Sequence, residues 1–365
     1  MQELIYKYAT KDKTGFYSEL NEKVSAYFEI NRLSRFATTS MLMKVTLSLF
    51  LYLFFYSCIL FTSPGTSLLF LYCVFMGIAG SLVFFNIVHD ASHNSLFRTK
   101  KFNRWFCFSF ELIGANSYIW NFLHNGLHHT FTSIENIEIL TEVYPIIRVS
   151  ANQPYRKIYK YQHLYAPVIY SFFSLFWLLY IDFDLFSRKR LGNVRNIKHH
   201  WRSWVILFAG KGAYIFFVVI LPKMVLHMSW GYIITGFLIM QCTMGLIISV
   251  ISAINHFPED AVFSAPDERG IINTSKKVYE LEATTDFDPQ SRLASWLFGG
   301  FNTHVAHHMF PQVCHIHYKY LTEIIRETAP KYNIQYKEKS LFNAIVSHFK
   351  LLRKMSRITR QLIDK

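Results

Sequence analysis

Residues 67–93 read SLLFLYCVFMGIAGSLVFFNIVHDASH, an apolar run that ends in two histidines four residues apart. The 22 residues Ser67–Val88 contain no charged side chain. At a helical rise of about 1.5 Å per residue, this run is long enough to cross a hydrocarbon layer about 30 Å thick. The stretch therefore predicts a membrane-spanning helix that presents His89 and His93 directly beyond its end.

Three other runs of similar length are also predominantly apolar. Only four residues, Ser63–Thr66, separate the run at 41–62 from the run at 67–88, and so short a link allows only a tight hairpin. The sequence predicts an all-α integral membrane protein in which four transmembrane helices form two hairpins and a cytoplasmic helical cap carries the histidines. We expect one domain over residues 1–365. The predicted spans cover about residues 41–62, 67–88, 205–226 and 231–254, and the cap covers residues 89–204 and 255–365.

Composition and charge agree with a membrane protein. The 365 residues are 52% hydrophobic and only 17% charged, whereas soluble domains contain about 25% charged residues. The net charge of +14 could indicate a nucleic-acid partner, but 6, 14 and 15 of the 38 Lys and Arg residues fall in residues 1–40, 89–204 and 255–365. Because basic residues accumulate on cytoplasmic loops, this distribution predicts that both termini and the long middle loop are cytoplasmic. We expect no nucleic-acid partner, and a bacterial inner membrane or the endoplasmic reticulum as the location.

Some segments remain ambiguous. Trp105–Trp120 and Ala166–Ile181 are apolar but short for a span, which favours interfacial or re-entrant helices. Lys44 lies near a span end, where its ammonium could snorkel to the surface. Leu341–Leu362 has the pattern of a basic amphipathic helix, which could lie on an anionic membrane or pack on its own domain.

Three histidine motifs carry the chemistry. They are HDASH (His89, His93), HNGLHH (His124, His128, His129) and HVAHH (His304, His307, His308). Residues three or four apart share a helix face. We therefore expect a shared centre for His89 with His93, for His124 with His128, and for His304 with His307 or His308. Adjacent histidines diverge by about 100° on a helix and suit two neighbouring metals better than one. Eight imidazoles exceed the roughly four ligands of a zinc ion, but imidazole alone does not choose between iron, copper, nickel and zinc.

Two further residues complete the predicted site. His256 lies where the fourth span ends, at the same depth and on the same side as His89. Because two metals with four or five imidazoles each need more than eight histidines, we predict that His256 is a ninth ligand; the alternative is a histidine that caps the helix C-terminus. Asp90 follows the first histidine and could orient an imidazole as a hydrogen-bond acceptor, although a solvated aspartate at a helix end is equally compatible.

The three histidine motifs resemble the histidine boxes of the membrane fatty acid desaturase family, with similarity from about Leu51 to Tyr336. The stretches HNGLHHTFTSIENIEI (His124–Ile139) and FGGFNTHVAHHMFPQVCHIHY (Phe298–Tyr318) resemble the linoleoyl-CoA and front-end acyl desaturase branch. The resemblance implies a non-haem di-iron centre with two iron ions that uses O2 to remove two hydrogens from an acyl chain, carried as acyl-CoA or acyl-lipid. Related enzymes also supply one isolated histidine after the last span, which agrees with His256.

The sequence departs from this branch in three ways. Front-end enzymes usually have Gln where this chain has His304, and the acyl-CoA branch has Asn where this chain has Ser252. No HPGG-type motif of a b-type cytochrome domain is present, so we expect a separate electron donor, either a ferredoxin or a b-type cytochrome with its reductase.

The reaction that the resemblance implies favours iron, because an unactivated C–H bond requires an oxidising metal–oxygen species and zinc has no redox chemistry. Three alternatives remain at this stage: a di-iron membrane hydroxylase, a haem electron-transfer protein and a non-catalytic metal carrier. The sequence assigns no role to His315 and His317, and Gly210-Lys211-Gly212 is too incomplete to indicate a dinucleotide site.

Overall fold

The computed structural model describes residues 6–10, 12, 14–135, 146–191 and 193–357. The last four residues of the stretch HNGLHHTFTSIENIEI, residues 136–139, lie outside these ranges, as does Leu362 at the end of the predicted amphipathic helix. Within these ranges, four helices are long and apolar enough to cross a membrane, judged by length and composition. They are Thr39–Phe61, Thr66–Ser92, Trp201–Leu226 and Trp230–His256, and we refer to them as spans 1 to 4. The sequence therefore located all four runs.

Span 2 is longer than the apolar run. Its α-helix, Thr66–Val83, passes through a π-helical turn at Phe84–Val88 and continues as His89–Ser92. His89 thus lies inside the helix and not beyond its end. Nothing between Val88 and Ser92 breaks a helix, and the chain turns only at Asn94, which adopts a positive φ of 57°.

The remaining helices are shorter. The α-helices are Phe16–Ile30, Lys100–Cys107, Ser117–Leu123, Gln162–Ser171, Phe173–Phe176, Asp182–Ser187, Lys276–Glu282, Arg292–Leu297, His304–Met309, Tyr318–Thr328 and Leu341–Met355. Turns of 3₁₀-helix occupy Phe108–Ile113, Lys157–Tyr161, Phe301–Thr303, His315–His317 and Ala329–Tyr332. Single π-helical turns occupy His124–His128, Trp177–Ile181 and, within span 3, Phe216–Ile220.

Short strands tie distant segments together. Lys7–Thr10 pairs in parallel with Ile271–Ser275, and Asp286–Phe287 pairs in parallel with Glu338–Lys339. Arg190–Leu191 and Val194–Arg195 form an antiparallel pair.

Span 4 is the centre of the packing. It lies against span 2 and against the two arms of a bent helical pair, Lys157–Ser171 and Phe173–Ser187, which meet at 63°. This pair contains the Ala166–Ile181 run that the sequence left ambiguous, and it is either a broken span or a re-entrant loop. Spans 1 and 3 leave many apolar side chains exposed, including Phe50 and Phe208, as helices that face lipid do.

The C-terminal helix packs on its own protein. Leu351, Leu352 and Met355 are buried in one apolar cluster with residues of the bent pair. His348 is fully buried, with its ring nitrogens within hydrogen-bonding distance of the Tyr170 hydroxyl and the Phe257 carbonyl oxygen. The buried apolar face of this amphipathic helix therefore fits packing on its own domain and not on an anionic membrane surface.

We predict that Gly245→Ala lowers the thermal unfolding temperature of the protein in detergent. A Cβ atom at this position of span 4 would meet the backbone at the helix break, 3.0 Å from the Ser174 nitrogen and even closer to the Ser171 carbonyl oxygen. Backbone cannot move aside as a side chain can, and overpacking of this kind costs about 1–3 kcal/mol.

The matched control is Gly212→Ala in span 3, where an added Cβ has no neighbour within 4 Å. This change should leave the unfolding temperature unchanged or raise it slightly, because alanine favours a helix by up to about 1 kcal/mol over glycine. Equal unfolding temperatures for the two variants would contradict the close approach of span 4 to the bent pair.

Candidate metal centre

Nine histidines converge at one end of the spans. Span 2 contributes His89 and, directly after its end, His93, whereas span 4 ends at His256. A π-helical turn and the residue after it supply the second motif, and the short helix His304–Met309 supplies the third. All nine are buried, with at most 7% of each residue exposed. They are His89, His93, His124, His128, His129, His256, His304, His307 and His308.

The histidines form two adjacent groups, in each of which one nitrogen per ring lies within 4.8 Å of the others. The first cluster is His89, His93, His124 and His307. The second cluster is His128, His256, His304 and His308. His129 lies between them: it forms a third group with His307 of the first cluster and His308 of the second.

Comparison with the expected pairing gives one correction. His89 and His93 fall in the same cluster, and the adjacent His307 and His308 fall in different ones, as their spacing predicted. The expectation that His124 and His128 face one centre is wrong, because they belong to different clusters. Their rings are stacked 5.4 Å apart with 16° between the planes, so each reaches a separate group of ligands.

Neighbouring side chains hold the third motif in place. The backbone N–H of Val305 donates a hydrogen bond of 2.8 Å to Asp286 Oδ1, and the Tyr336 hydroxyl donates one of 2.7 Å to Oδ2. A carboxyl group in this position satisfies a free N–H group in the first turn of the histidine helix. Burial raises the pKa of Asp286 to about 7.

The geometry of the clusters fits metal ions. Several buried ring nitrogens have no hydrogen-bond partner among the described residues, namely both nitrogens of His89, Nε2 of His93 and His308, and Nδ1 of His129, His256 and His304. Unpaired buried polar atoms are costly unless something binds their lone pairs. The Nε2 atoms of His256 and His304 are 2.9 Å apart, a separation expected of two nitrogens that each lie about 2.1 Å from one ion.

The protonation state also suits metal binding. Burial lowers the pKa of His93 to about 3. Burial and the neighbouring imidazoles hold the pKa of His124, His129, His304, His307 and His308 well below the ordinary histidine value. Neutral imidazole is the form that coordinates metals. The donor set therefore fits two metal ions held by histidines.

A buried triad beside the first cluster was missed by the sequence analysis. Asp90 Oδ2 is 2.8 Å from Nδ1 of His315, and Nε2 of His315 is 2.9 Å from the Lys44 ammonium. Because an ammonium can only donate, Nε2 accepts from Lys44 and Nδ1 donates to Asp90. Asp90 thus orients the imidazole of His315, a residue outside the three motifs.

The same triad corrects the interpretation of Lys44. This lysine does not extend to the surface but is only 7% exposed, and its ammonium also donates to the Ser295 carbonyl oxygen at 3.1 Å. The signal available in the sequence was a charged residue inside an apolar run, which usually has a buried partner.

An apolar cleft leads to the histidines. It contains about 1150 Å³ of empty space, including its open mouth. His124, His128, His256 and His304 line one part of it, and most other lining residues are apolar. Along span 4 the lining runs from His256 back to Met244, which corresponds to about 18 Å at a rise of 1.5 Å per residue. Ser252 lies on this wall, one turn before His256.

Comparison with known proteins places the chain in a family. The sequence model of the fatty acid desaturase family matches residues 65–340. The chain is 29% identical over 348 residues to an sn-1 linoleoyl-lipid 6-desaturase of Synechocystis sp., covering 94% of this chain and 96% of the relative. It is 28% identical to an acyl-lipid (8-3)-desaturase of Physcomitrium patens, covering 96% of this chain and 73% of the relative. An acyl-lipid (8-3)-desaturase B of Dictyostelium discoideum is 29% identical, with 94% and 76% covered. The chain belongs to the fatty acid desaturase family.

Proposed function

We propose that this protein is an O2-dependent fatty acyl desaturase that introduces a carbon–carbon double bond into a lipid-linked acyl chain, with two iron ions held by its nine clustered histidines. Family membership supports the desaturase activity. The observation that carries the proposal is the pair of buried four-histidine clusters at one end of an apolar cleft.

Iron fits the task better than the other metals that bind imidazole. Two iron ions at these clusters would supply, together with O2, the oxidising power needed to remove two hydrogens from an unactivated acyl chain. Zinc binds to similar histidine ligands but has no redox chemistry. In this proposal His256 would hold one ion together with the other histidines of the second cluster, and His129 would supply a further imidazole beside His124 and His307.

The protein's own residues bind and orient the acyl chain. The apolar lining of the cleft replaces water around the chain, at a gain of about 25 cal/mol per Å² of apolar surface buried. Trp120 lines the cleft and stacks on the ring of His124 at 4.4 Å, and Phe301 packs 4.6 Å from the ring of His89. These aromatic rings keep the histidines dry and hold the chain beside them.

The names of the relatives favour an acyl-lipid substrate over acyl-CoA. The relatives from Synechocystis and Physcomitrium are described as linoleoyl-lipid and acyl-lipid desaturases. A lipid-linked chain can enter an apolar cleft directly from the bilayer, which the exposed apolar surfaces of spans 1 and 3 suit. We propose an integral multi-pass protein with the histidine clusters and both termini on the cytoplasmic side.

Electron balance requires a separate donor in this proposal. Reduction of O2 to two waters takes four electrons, of which the two C–H bonds supply two. The other two come from a reduced carrier, either a ferredoxin or a b-type cytochrome with its reductase.

Expression in a host of known lipid composition should yield new unsaturated acyl chains that are lighter by two hydrogens, with the double bond located by mass spectrometry. In a purified system, product should form only with O2, iron and a reduced donor. A product heavier by one oxygen would instead indicate the rival hydroxylase. A Soret band in the purified protein would indicate the haem alternative.

A His256→Ala variant should retain roughly half of the bound iron and lose desaturation, because the second cluster keeps only three imidazoles and metal binding depends on the complete ligand set. Iron per chain is measured directly on the purified protein. His227→Ala is the control, since His227 follows the opposite end of a span and belongs to neither cluster. Full iron occupancy in both variants would assign His256 to helix capping alone.

Reporter fusions at Ala151 and after Lys365 should both indicate the cytoplasm. The concentration of 35 of 38 basic residues in three segments supports this orientation, because such residues remain on the cytoplasmic side. Opposite signals from the two fusions would show that an odd number of spans separates these positions and that the bent pair crosses the membrane.

A further inference from the structure

An ion pair buried among the apolar helices takes no part in the histidine clusters. Lys211, in the middle of span 3, pairs with Asp182, the first residue of the helix Asp182–Ser187 in the bent pair. Lys211 is 9% exposed and Asp182 is fully buried. The lysine belongs to the Gly-Lys-Gly sequence to which the sequence analysis gave no role. Ionisable residues inside membrane helices usually serve a function.

The remaining hydrogen bonds of this pair bind one loop and one tryptophan. The Asn116 backbone N–H donates to Asp182 Oδ2 at 2.9 Å, and the Trp177 indole N–H donates to Asp182 Oδ1 at 3.0 Å. The Lys211 ammonium donates to the Gly114 carbonyl oxygen at 2.7 Å. The pair therefore holds the loop on both sides of Ala115, and it holds the indole ring as well.

These anchored groups form a wall of the acyl cleft. Ile113, Ala115 and Trp177 all line it. The loop has little freedom, because Gly114 has a φ of +89° and an added Cβ would lie 2.8 Å from the ring of Tyr214. Ile113 lies beside Met244, as both approach within 4 Å of a Cβ built at Gly80. Since Met244 is about 18 Å from His256 along span 4, Ile113 marks a part of the wall that is remote from the histidines. Trp177 lies nearer to them, 5.6 Å from the ring of Trp120 that stacks on His124.

Stability alone does not explain why the pair is present. Replacement of a buried ion pair by apolar side chains of similar size is often neutral or stabilising, because the two charges lose their hydration on burial. Apolar side chains cannot, however, form the hydrogen bonds with which this pair holds a carbonyl oxygen, a backbone N–H and an indole N–H at fixed positions.

We propose that the Lys211–Asp182 ion pair is a specificity-determining positioning element, which fixes the remote wall of the acyl cleft and so sets the length of acyl chain that places the correct carbon beside the metal clusters. The proposal rests on the desaturase function proposed above. Lys211 and Asp182 act through Ala115, Ile113 and Trp177 and do not themselves contact the acyl chain.

The test compares Lys211→Met with Lys223→Met. Lys223 is the other lysine of span 3 and lies in its last turn. Its ammonium donates to the Met228 carbonyl oxygen, and it does not line the acyl cleft. Each variant, purified and loaded with iron, is supplied with O2 and the reduced donor and is given an equimolar mixture of lipids whose acyl chains differ by two carbons. The ratio of the two desaturated products and the double-bond positions are measured by mass spectrometry.

We expect the product ratio for Lys211→Met to move roughly tenfold towards equal use of the two chains, because a methylene group in a rigid apolar pocket gives about that discrimination. Lys223→Met should keep the ratio of the unaltered protein. A merely structural role for Lys211 would lower the amount of folded, iron-loaded protein without changing the ratio, and an unchanged ratio would overturn the proposal.

A second variant covers the case in which Lys211→Met does not accumulate. The double variant Lys211→Met with Asp182→Leu leaves no uncompensated buried charge. It should show the same change in product ratio, and an unchanged ratio would overturn the proposal equally. If the unaltered protein desaturates neither chain, the proposed function fails instead, so the two failures are distinguishable.

Discussion

The structure depends on one demanding requirement: nine imidazoles must be buried within a few ångströms of one another and away from water. Water would hydrate the ring nitrogens, and protonation would remove their lone pairs, so both burial and a low pKa are needed. The arrangement of the helices meets this requirement. Spans 2 and 4 pack side by side and bring His89 and His256 to the same level, while two short segments carry the other motifs over them.

Buried charged side chains position the histidine segments and the wall of the cleft. Asp286 holds the first turn of the His304–Met309 helix. Asp90 connects span 2 to His315 in the segment that follows the third motif, and His315 in turn binds Lys44 of span 1. The Lys211–Asp182 pair does the same for the cleft wall. In each case a charged group bonds to backbone or to an imidazole that apolar contacts could not orient, because dispersion and burial have no directional preference.

Much of this arrangement could be predicted from the sequence, but some of it could not. Apolar length alone located the four spans, and three-residue and four-residue spacing identified the eight histidines of the motifs. Position at a span end indicated His256, which the structure places in the second cluster. His124 and His128 share a helix face but lie one turn apart, with their ring centroids 5.4 Å from each other, so they reach neighbouring clusters, and a shared face alone does not reveal this. The partners of Lys44 and Lys211 lie far away in sequence, so no local pattern reveals them.

The central claim is that the two histidine clusters hold a pair of iron ions that performs desaturation. The most direct test is Mössbauer spectroscopy of the iron-57-loaded protein, together with iron and zinc content per chain and desaturation by the same sample. The account predicts two iron ions per chain and loss of activity in proportion to iron removal. An active protein that contains zinc instead of iron, or only one iron ion per chain, would contradict it.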